Sequence, residues 1–302
     1  MTQSSSIERS FFKYASPKTA LAILQSKAIR YNSPLKFNDP FDLQSGLHFD
    51  FNLSTLHAKI LNRLKELAIA TEEPAVDAQD PWGKLVLLVR EKYPTYGFPL
   101  EHLEQMSAPL FNTLTQNIKI TQQKYKEHWQ ALLPNIRVFC VSEERDNLLM
   151  WAHYAKDHTG VVFEFRSIPV EDNPLSVAQP VVYVDHPVPF FTEDEWIDEI
   201  LSIRRINWRD LYQRYAYFKS MHWQYENEWR IWYPQTPGTD SGHFDCPIRT
   251  SEFVAVYIGC QAEPQFASDV IALTHKAFPN TRIYSARKSE TAYALEYDEI
   301  SK

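Results

Sequence analysis

The chain of 302 residues is 44% hydrophobic and 23% charged, with a net charge of −7. It is long enough to bury a sizeable core, and its acidic balance argues against indiscriminate duplex binding. Seven glycines, at 46, 83, 97, 160, 238, 242 and 259, form neither G-x-G-x-x-G nor G-x-x-x-x-G-K-[ST], which argues against a Rossmann nucleotide fold and a P-loop ATPase.

Neither H-E-x-x-H nor G-x-S-x-G occurs. Cys140, Cys246 and Cys260 are scattered without a C-x-x-C pair, the pattern of buried thiols in a reducing cytoplasm rather than of a disulfide framework or zinc site. The opening M-T-Q-S-S-S-I-E-R-S lacks the apolar core of a secretory signal, and no apolar run reaches the length of a membrane span. A cytoplasmic protein with no membrane partner is expected.

In chain order, Phe11 to Ala15 predicts a short strand, and Ser16-Pro17 a helix cap with proline at the first helical position. Ala20, Leu21, Ile23, Leu24 and Ala28 follow at near-helical spacing, then a strand-like I-R-Y-N. L-K-F-N-D-P-F-D predicts a shaped loop pinned at Phe37 and Phe41.

Residues 54–134 predict a helical insertion, with Leu53, Leu56, Ile60, Leu64 and Leu67 at helical intervals and an acidic, proline-containing linker from Ala70 to Pro81. Trp82–Tyr93 and Pro99–Leu133 supply two further helical patterns.

Strand character returns at Ile136–Val141, ending on Ser142. Asn147–Tyr154 suits a short helix, and Gly160–Phe165 and Pro180–Val184 suit strands. Thr192–Phe218 predicts a helix, acidic early and basic late (Arg204, Arg205, Arg209, Arg214), which suits the helix dipole and offers a basic surface if the partner is nucleic acid. Gln235–Gly242 is turn-rich; Phe253–Ile258 is a strand, Pro264–Phe278 a helix, and Arg282–Tyr284 and Ala292–Tyr297 closing strands. These elements predict an α+β fold, a single domain over 1–302, with a mixed, mainly antiparallel core sheet and the helical block packed against it.

The chemistry concentrates in Lys219–Trp232, K-S-M-H-W-Q-Y-E-N-E-W-R-I-W. As a strand from Tyr225 onward, it places Glu226, Glu228 and Arg230 on one face and Asn227, Trp229 and Ile231 on the other. That row is either a salt-bridged face in water or cleft-facing carboxylates beside cations and stacking rings, equipment for a charged, ring-bearing ligand. A second cluster, W-A-H-Y-A-K-D-H-T-G, offers His153 and His158 as metal ligands, Ser142 with His153 as a nucleophile pair, or simply a helix end with packed rings. Lys13, with Arg30 on the adjacent strand, is either a sheet-edge lysine or an anion holder.

Three blocks carry a resemblance. F-F-K-Y-A-S…I-R-Y-N-S…F-N-D-P-F-D, V-F-C-V-S-E…N-L-L-M-W-A-H-Y-A…H-T-G-V-V-F-E-F and F-K-S…W-Q-Y-E-N-E-W-R resemble the bacterial family catalogued as domain of unknown function 2971, over most of the chain. More distantly, their order is similar to the ADP-ribosyltransferase superfamily. In that superfamily a first strand bears a nucleotide-holding residue, a middle strand ends in Ser or Thr, and a late strand carries the catalytic Glu, often as E-x-E. Lys13 or Tyr14, Ser142, and Glu226-Asn227-Glu228 match those positions, although the first-strand Arg or His and the S-T-S triplet are missing.

The resemblance implies cleavage of NAD as substrate, without a metal: Glu228 is the catalytic carboxylate and Glu226 orients or activates an acceptor. Lys13, Arg30 and Lys219 then hold the pyrophosphate, while Tyr14, Tyr154 or Trp223 stacks on a ring, with Ser142 and His153 completing the site. A nucleic-acid or protein acceptor would make the protein a toxin or defence effector. A non-catalytic nucleotide- or peptide-binding module and a metal-dependent nuclease or phosphoesterase are the alternatives.

Overall fold

The computed structural model describes residues 8–171, 173–204, 207–234 and 242–300. Arg205 and most of the turn-rich stretch 235–242 therefore lie outside the described residues. About 45% helix and 22% strand, with a mixed, mostly antiparallel sheet, make the fold α+β. The elements run β1 (Ser10–Ala15), α1 (Pro17–Ser26), β2 (Ala28–Asn32), α2 (Leu56–Ile69), α3 (Pro81–Tyr96), α4 (Leu100–Leu132), β3 (Ile136–Ser142), α5 (Leu148–Tyr154) and β4 (Val161–Arg166). They continue with β5 (Gln179–Pro180), β6 (Val182–Val184), α6 (Glu193–Ile200), α7 (Trp208–Tyr215), β7 (Phe218–Ser220), β8 (Glu228–Pro234), β9 (His243–Pro247), β10 (Phe253–Ile258), α8 (Pro264–Ala277), β11 (Arg282–Lys288) and β12 (Leu295–Glu299).

The chain divides into two compact units. The first comprises residues 1–44, 133–186 and 216–302, and the second 45–132 with 187–215. The single-domain organisation with an insertion at 54–134 stays a proposal beside this division.

The first unit is built on a sheet of order β12-β11-β10-β4-β1-β3-β2-β9, with β8 laid against β3 and β5 against β8. Within it β10 and β11 run parallel, while its other pairs are antiparallel. Alternation along the strands sends Phe11, Phe163, Phe165, Val256 and Ile283 into a core shared with Leu24 of α1 and with Val270 and Phe278 at α8. Tyr14, Val162, Ala255 and Tyr257 pack with Met150 and Trp151 of α5 in a second cluster. Fully burying one such aliphatic or aromatic side chain contributes about 1.5–3 kcal/mol.

The ladder is uneven, and the unevenness makes the cleft. β1 pairs with β4 along its whole length, but with β3 only at Phe12↔Ser142. β2 meets β3 only at Asn32↔Val138, while β8 pairs with β3 over seven positions. A seam therefore opens between β1 and β2 on one side and β3 on the other, leaving main-chain groups of β3 in need of partners.

α1 starts where Ser16 caps the Thr19 amide and Pro17 fixes the first turn, and it stops at Lys27, whose φ of 54° is left-handed. α5 starts at Asn147, whose side chain accepts from the amides of Leu149 and Met150. It ends in three consecutive left-handed residues, Lys156, Asp157 and His158 (φ 50°, 55° and 63°). The turn fits against β1 only because Gly160 lacks a Cβ, which would stand 2.1 Å from the Ala15 carbonyl oxygen.

The second unit is helical. Leu56, Ile60, Leu64 and Leu67 of α2 are buried at the expected spacing, and Trp129 of α4 stacks on Tyr212 of α7 with ring planes 6° apart. The helix expected over Thr192–Phe218 is instead α6 and α7, and Phe218 opens β7. α6 is closed at its start by a reciprocal Thr192–Glu195 capping box and ends at Leu201, followed by a left-handed Ser202. Among the described residues, no helix is long and apolar enough to cross a membrane.

Candidate functional site

The seam carries a cleft of about 380 Å³, within the range of small-molecule sites. Lys13 and Tyr14 reach it from β1, Arg30 from β2, Ser142 from β3, and His153 and Tyr154 from α5. Lys219, Glu226 and Glu228 form its floor. Trp223 stands outside the lining, but its ring carries the Lys219 ammonium at 5.1 Å.

The local backbone around the two glutamates departs from the expected strand. Met221–Glu226 is a 3-10 turn that ends at Asn227 in the left-handed region (φ 42°, ψ 52°), and the strand begins only at Glu228. Glu226 and Glu228 therefore meet because a tight turn folds one over the other, not because they alternate along a strand. Asn is the side chain after glycine that best tolerates this conformation, and its amide nitrogen also donates to Glu144 Oε1 at 2.6 Å.

Of the two readings of this row, the solvated salt-bridged face is overturned. Glu226, Glu228, Arg230, Lys219 and Asp42 are 3%, 5%, 1%, 7% and 4% exposed. Arg230 clamps two carboxylates: Nε lies 2.7 Å from Glu228 Oε1, Nη2 3.0 Å from Glu228 Oε2, and Nη1 2.9 Å from Asp42 Oδ1. Lys219 donates to Glu228 Oε2 at 2.9 Å and to Glu226 Oε2, and lies 3.6 Å from Asp42. Tyr154 Oη donates to Glu226 Oε1 at 2.5 Å.

These contacts separate the carboxylates electrostatically. Burial alone would raise the Glu228 carboxyl, but Arg230 and Lys219 outweigh it and hold the group well below the usual carboxylate range. At Glu226 and Asp42 burial wins over their cationic neighbours and both carboxyls are raised. The Lys219 ammonium is raised despite its burial, because Glu228, Glu226 and Asp42 surround it. The cluster thus holds one carboxylate, Glu228, that stays ionised and two, Glu226 and Asp42, that burial shifts toward the protonated form, of which only Asp42 is paired with Arg230.

Above this floor, Lys13 Nζ donates to the Cys140 carbonyl at 2.8 Å, satisfying across the seam a main-chain acceptor of β3. Arg30 forks onto Asp245 with two 2.8 Å bonds. Tyr14 Oη donates to the Glu144 carbonyl, and Ser142 Oγ accepts from the Glu144 amide. His153 Nδ1 and Tyr225 Oη share a hydrogen bond of 2.9 Å. His158 does not join His153: it stacks on Trp151 with planes 5° apart, and burial lowers its pKa. Among the described residues, no group of three His, Cys, Asp or Glu side chains is placed to hold a metal ion.

Sequence reading missed two of the five members of the buried cluster as site residues. Asp42 closes the N-D-P-F-D loop, whose Asp39 Oδ1 accepts from the Phe41 amide. Arg230 was visible only as a charge sharing a face with the glutamates. Lys36, Phe37 and Asn38, which also line the cleft, lie in or just before that loop. The aromatic–acid pattern of the loop was the available signal, but its partner lies 188 positions away.

Fold and site together define an α+β protein whose sheet seam holds a charged, ring-lined cleft over a buried ion cluster. Residues 150–231 match the family model described as Protein of unknown function (DUF2971), in agreement with the resemblance of the sequence blocks. The matched stretch contains His153, Tyr154, Lys219, Glu226, Glu228 and Arg230. No curated protein and no solved structure matches the chain. The likeness to ADP-ribosyltransferases is not part of the family match.

Proposed function

We propose that the cleft binds NAD and that the protein is an ADP-ribosyltransferase-like enzyme, cleaving the nicotinamide glycosidic bond. A nucleic-acid or protein acceptor would then suit a toxin or phage-defence effector. The observation that carries this reading is the register Phe12↔Ser142↔Glu228 across three neighbouring strands. It brings Ser142 level with Glu228, with Lys13 and Tyr14 one and two residues beyond Phe12 on the neighbouring strand, and all four residues line the cleft, which supports the reading.

The electrostatics support the same assignment. Cleavage passes through an oxocarbenium-like state, and a carboxylate beside the ribose gains strength as positive charge develops. Glu228, kept ionised by Arg230, is suited to that role. Glu226, with its raised carboxyl, is suited to orienting or deprotonating an acceptor. Lys219 is engaged by three carboxylates and Arg30 by Asp245, so Lys13, hydrogen-bonded among the described residues only to a carbonyl, is the better holder of a pyrophosphate, with Arg30 assisting from the rim. Tyr14, Tyr154 and His153 offer rings along the wall.

The test is NAD binding by calorimetry together with nicotinamide release, wild type beside Glu228→Gln, with and without chelator. Binding with chelator-resistant release, lost in the variant, is the expected result. No binding at millimolar NAD would sink the proposal.

One observation favours a non-catalytic nucleotide- or peptide-binding module instead: the oxygens of Glu228 and Asp42 are already engaged by Arg230 and Lys219. Binding without turnover by the wild type is the signature of that alternative. A metal-dependent nuclease or phosphoesterase is less well supported, because the Lys219 ammonium already sits among the three carboxylates where a divalent cation would be held. Chelator-sensitive phosphodiester cleavage would reverse that preference.

A further inference from the structure

The buried cluster has an odd count. With every group ionised, Asp42, Glu226 and Glu228 carry three negative charges against the two positive charges of Lys219 and Arg230. An uncompensated charge in such a site costs several kcal/mol, so the free protein relieves it with a proton. Burial raises Asp42 as well as Glu226, but Arg230 forks onto Asp42 and also bonds Glu228, whereas among the described residues the cation paired with Glu226 is Lys219, shared with both other carboxylates. The relieving proton therefore falls to Glu226, which lines the cleft. From the elements around it, Glu226 is faced by Lys219 on β7, Glu228 on β8, Tyr154 on α5, Tyr183 on β6 and the preceding Tyr225, while Asp42 and Arg230 complete the cluster through Lys219 and Glu228.

We propose that Glu226 is the residue by which the cleft selects the oxidised, cationic form of a pyridine dinucleotide. The pyridinium ring takes over the charge compensation that a proton supplies in the free protein, and the Glu226 carboxylic acid ionises, giving that proton to solvent. This rests on the NAD-binding reading above. The reduced dinucleotide has the same phosphates and adenosine but a neutral ring, so it leaves Glu226 protonated and binds more weakly. The raised Glu226 carboxyl is consistent with this exchange.

Calorimetric titration of the full chain with each form of the dinucleotide, in two buffers of different ionisation enthalpy from about pH 5 to 8, counts protons exchanged. The expected result is release approaching about one proton per oxidised dinucleotide bound, none for the reduced form, and an affinity ratio on the order of tenfold in favour of the oxidised form. Glu226→Gln is expected to abolish both the release and the preference. Binding of the oxidised form without proton release at any pH in that range overturns the inference while leaving NAD binding standing. Equal release with both forms also overturns it, since the ring charge would then not be the cause. No binding of either form removes the functional reading itself, and this inference with it.

Discussion

Arg230 and Glu228 cannot be replaced singly without leaving a buried partner exposed to its own desolvation cost. Breaking such a pair typically costs about 3–5 kcal/mol. Glu228→Gln and Arg230→Met are therefore each expected to lower the melting temperature by on the order of 10 °C, whereas Glu226→Gln, which removes the surplus charge, should shift it little. Differential scanning calorimetry checks this, and a Glu228→Gln protein as stable as wild type would show that the pair contributes nothing. The pH dependence has opposite signs at the two positions. Glu228 lies below its ordinary value of 4.5 in the fold, so its stabilisation is present above that value and is lost as pH falls through the depressed one. Glu226 lies above 4.5, so its stabilisation is present below that value and is lost as pH rises through the raised one. Urea unfolding across pH should show the deficit of Glu228→Gln narrowing in acid, and Glu226→Gln gaining on wild type as pH rises.

At the scale of the element, the site depends on one left-handed residue. Asn227 ends the 3-10 turn just before β8, and it is what lets Glu226 and Glu228 reach the same ammonium. A β-branched residue there must adopt a conformation costing roughly 1–2 kcal/mol. Asn227→Val is expected to destabilise by at least that much and to weaken ligand binding by moving Glu226. Asn227→Gly should keep the geometry and lose only the bond to Glu144. Equal binding by both variants, measured by calorimetry, would refute the assignment. The sequence pattern here showed alternation, and strand periodicity could not reveal that a two-residue repeat of Glu was interrupted by a turn. By contrast, α1 and α8 were legible because each has helical spacing and a proline at its start.

At the scale of the molecule, the first unit is assembled from three stretches of chain and the second from two. Local signals identify helices and strands well, and they located His153, Tyr154, Lys219 and both glutamates. They do not encode which distant segments become neighbours. Asp42 and Arg230, 188 positions apart, form the bond that closes the cluster, and Arg30 finds Asp245 across 215. Such pairs follow from sheet order, which a single sequence leaves open. The seam between β1 and β3 has a consequence of its own. Strands joined at one register pair protect few amides from solvent, so deuterium exchange along residues 138–142 should be faster on the seam side than on the side zipped to β8. A molecule seated in the cleft would slow that exchange, giving a footprint of occupancy that requires neither an identified ligand nor turnover.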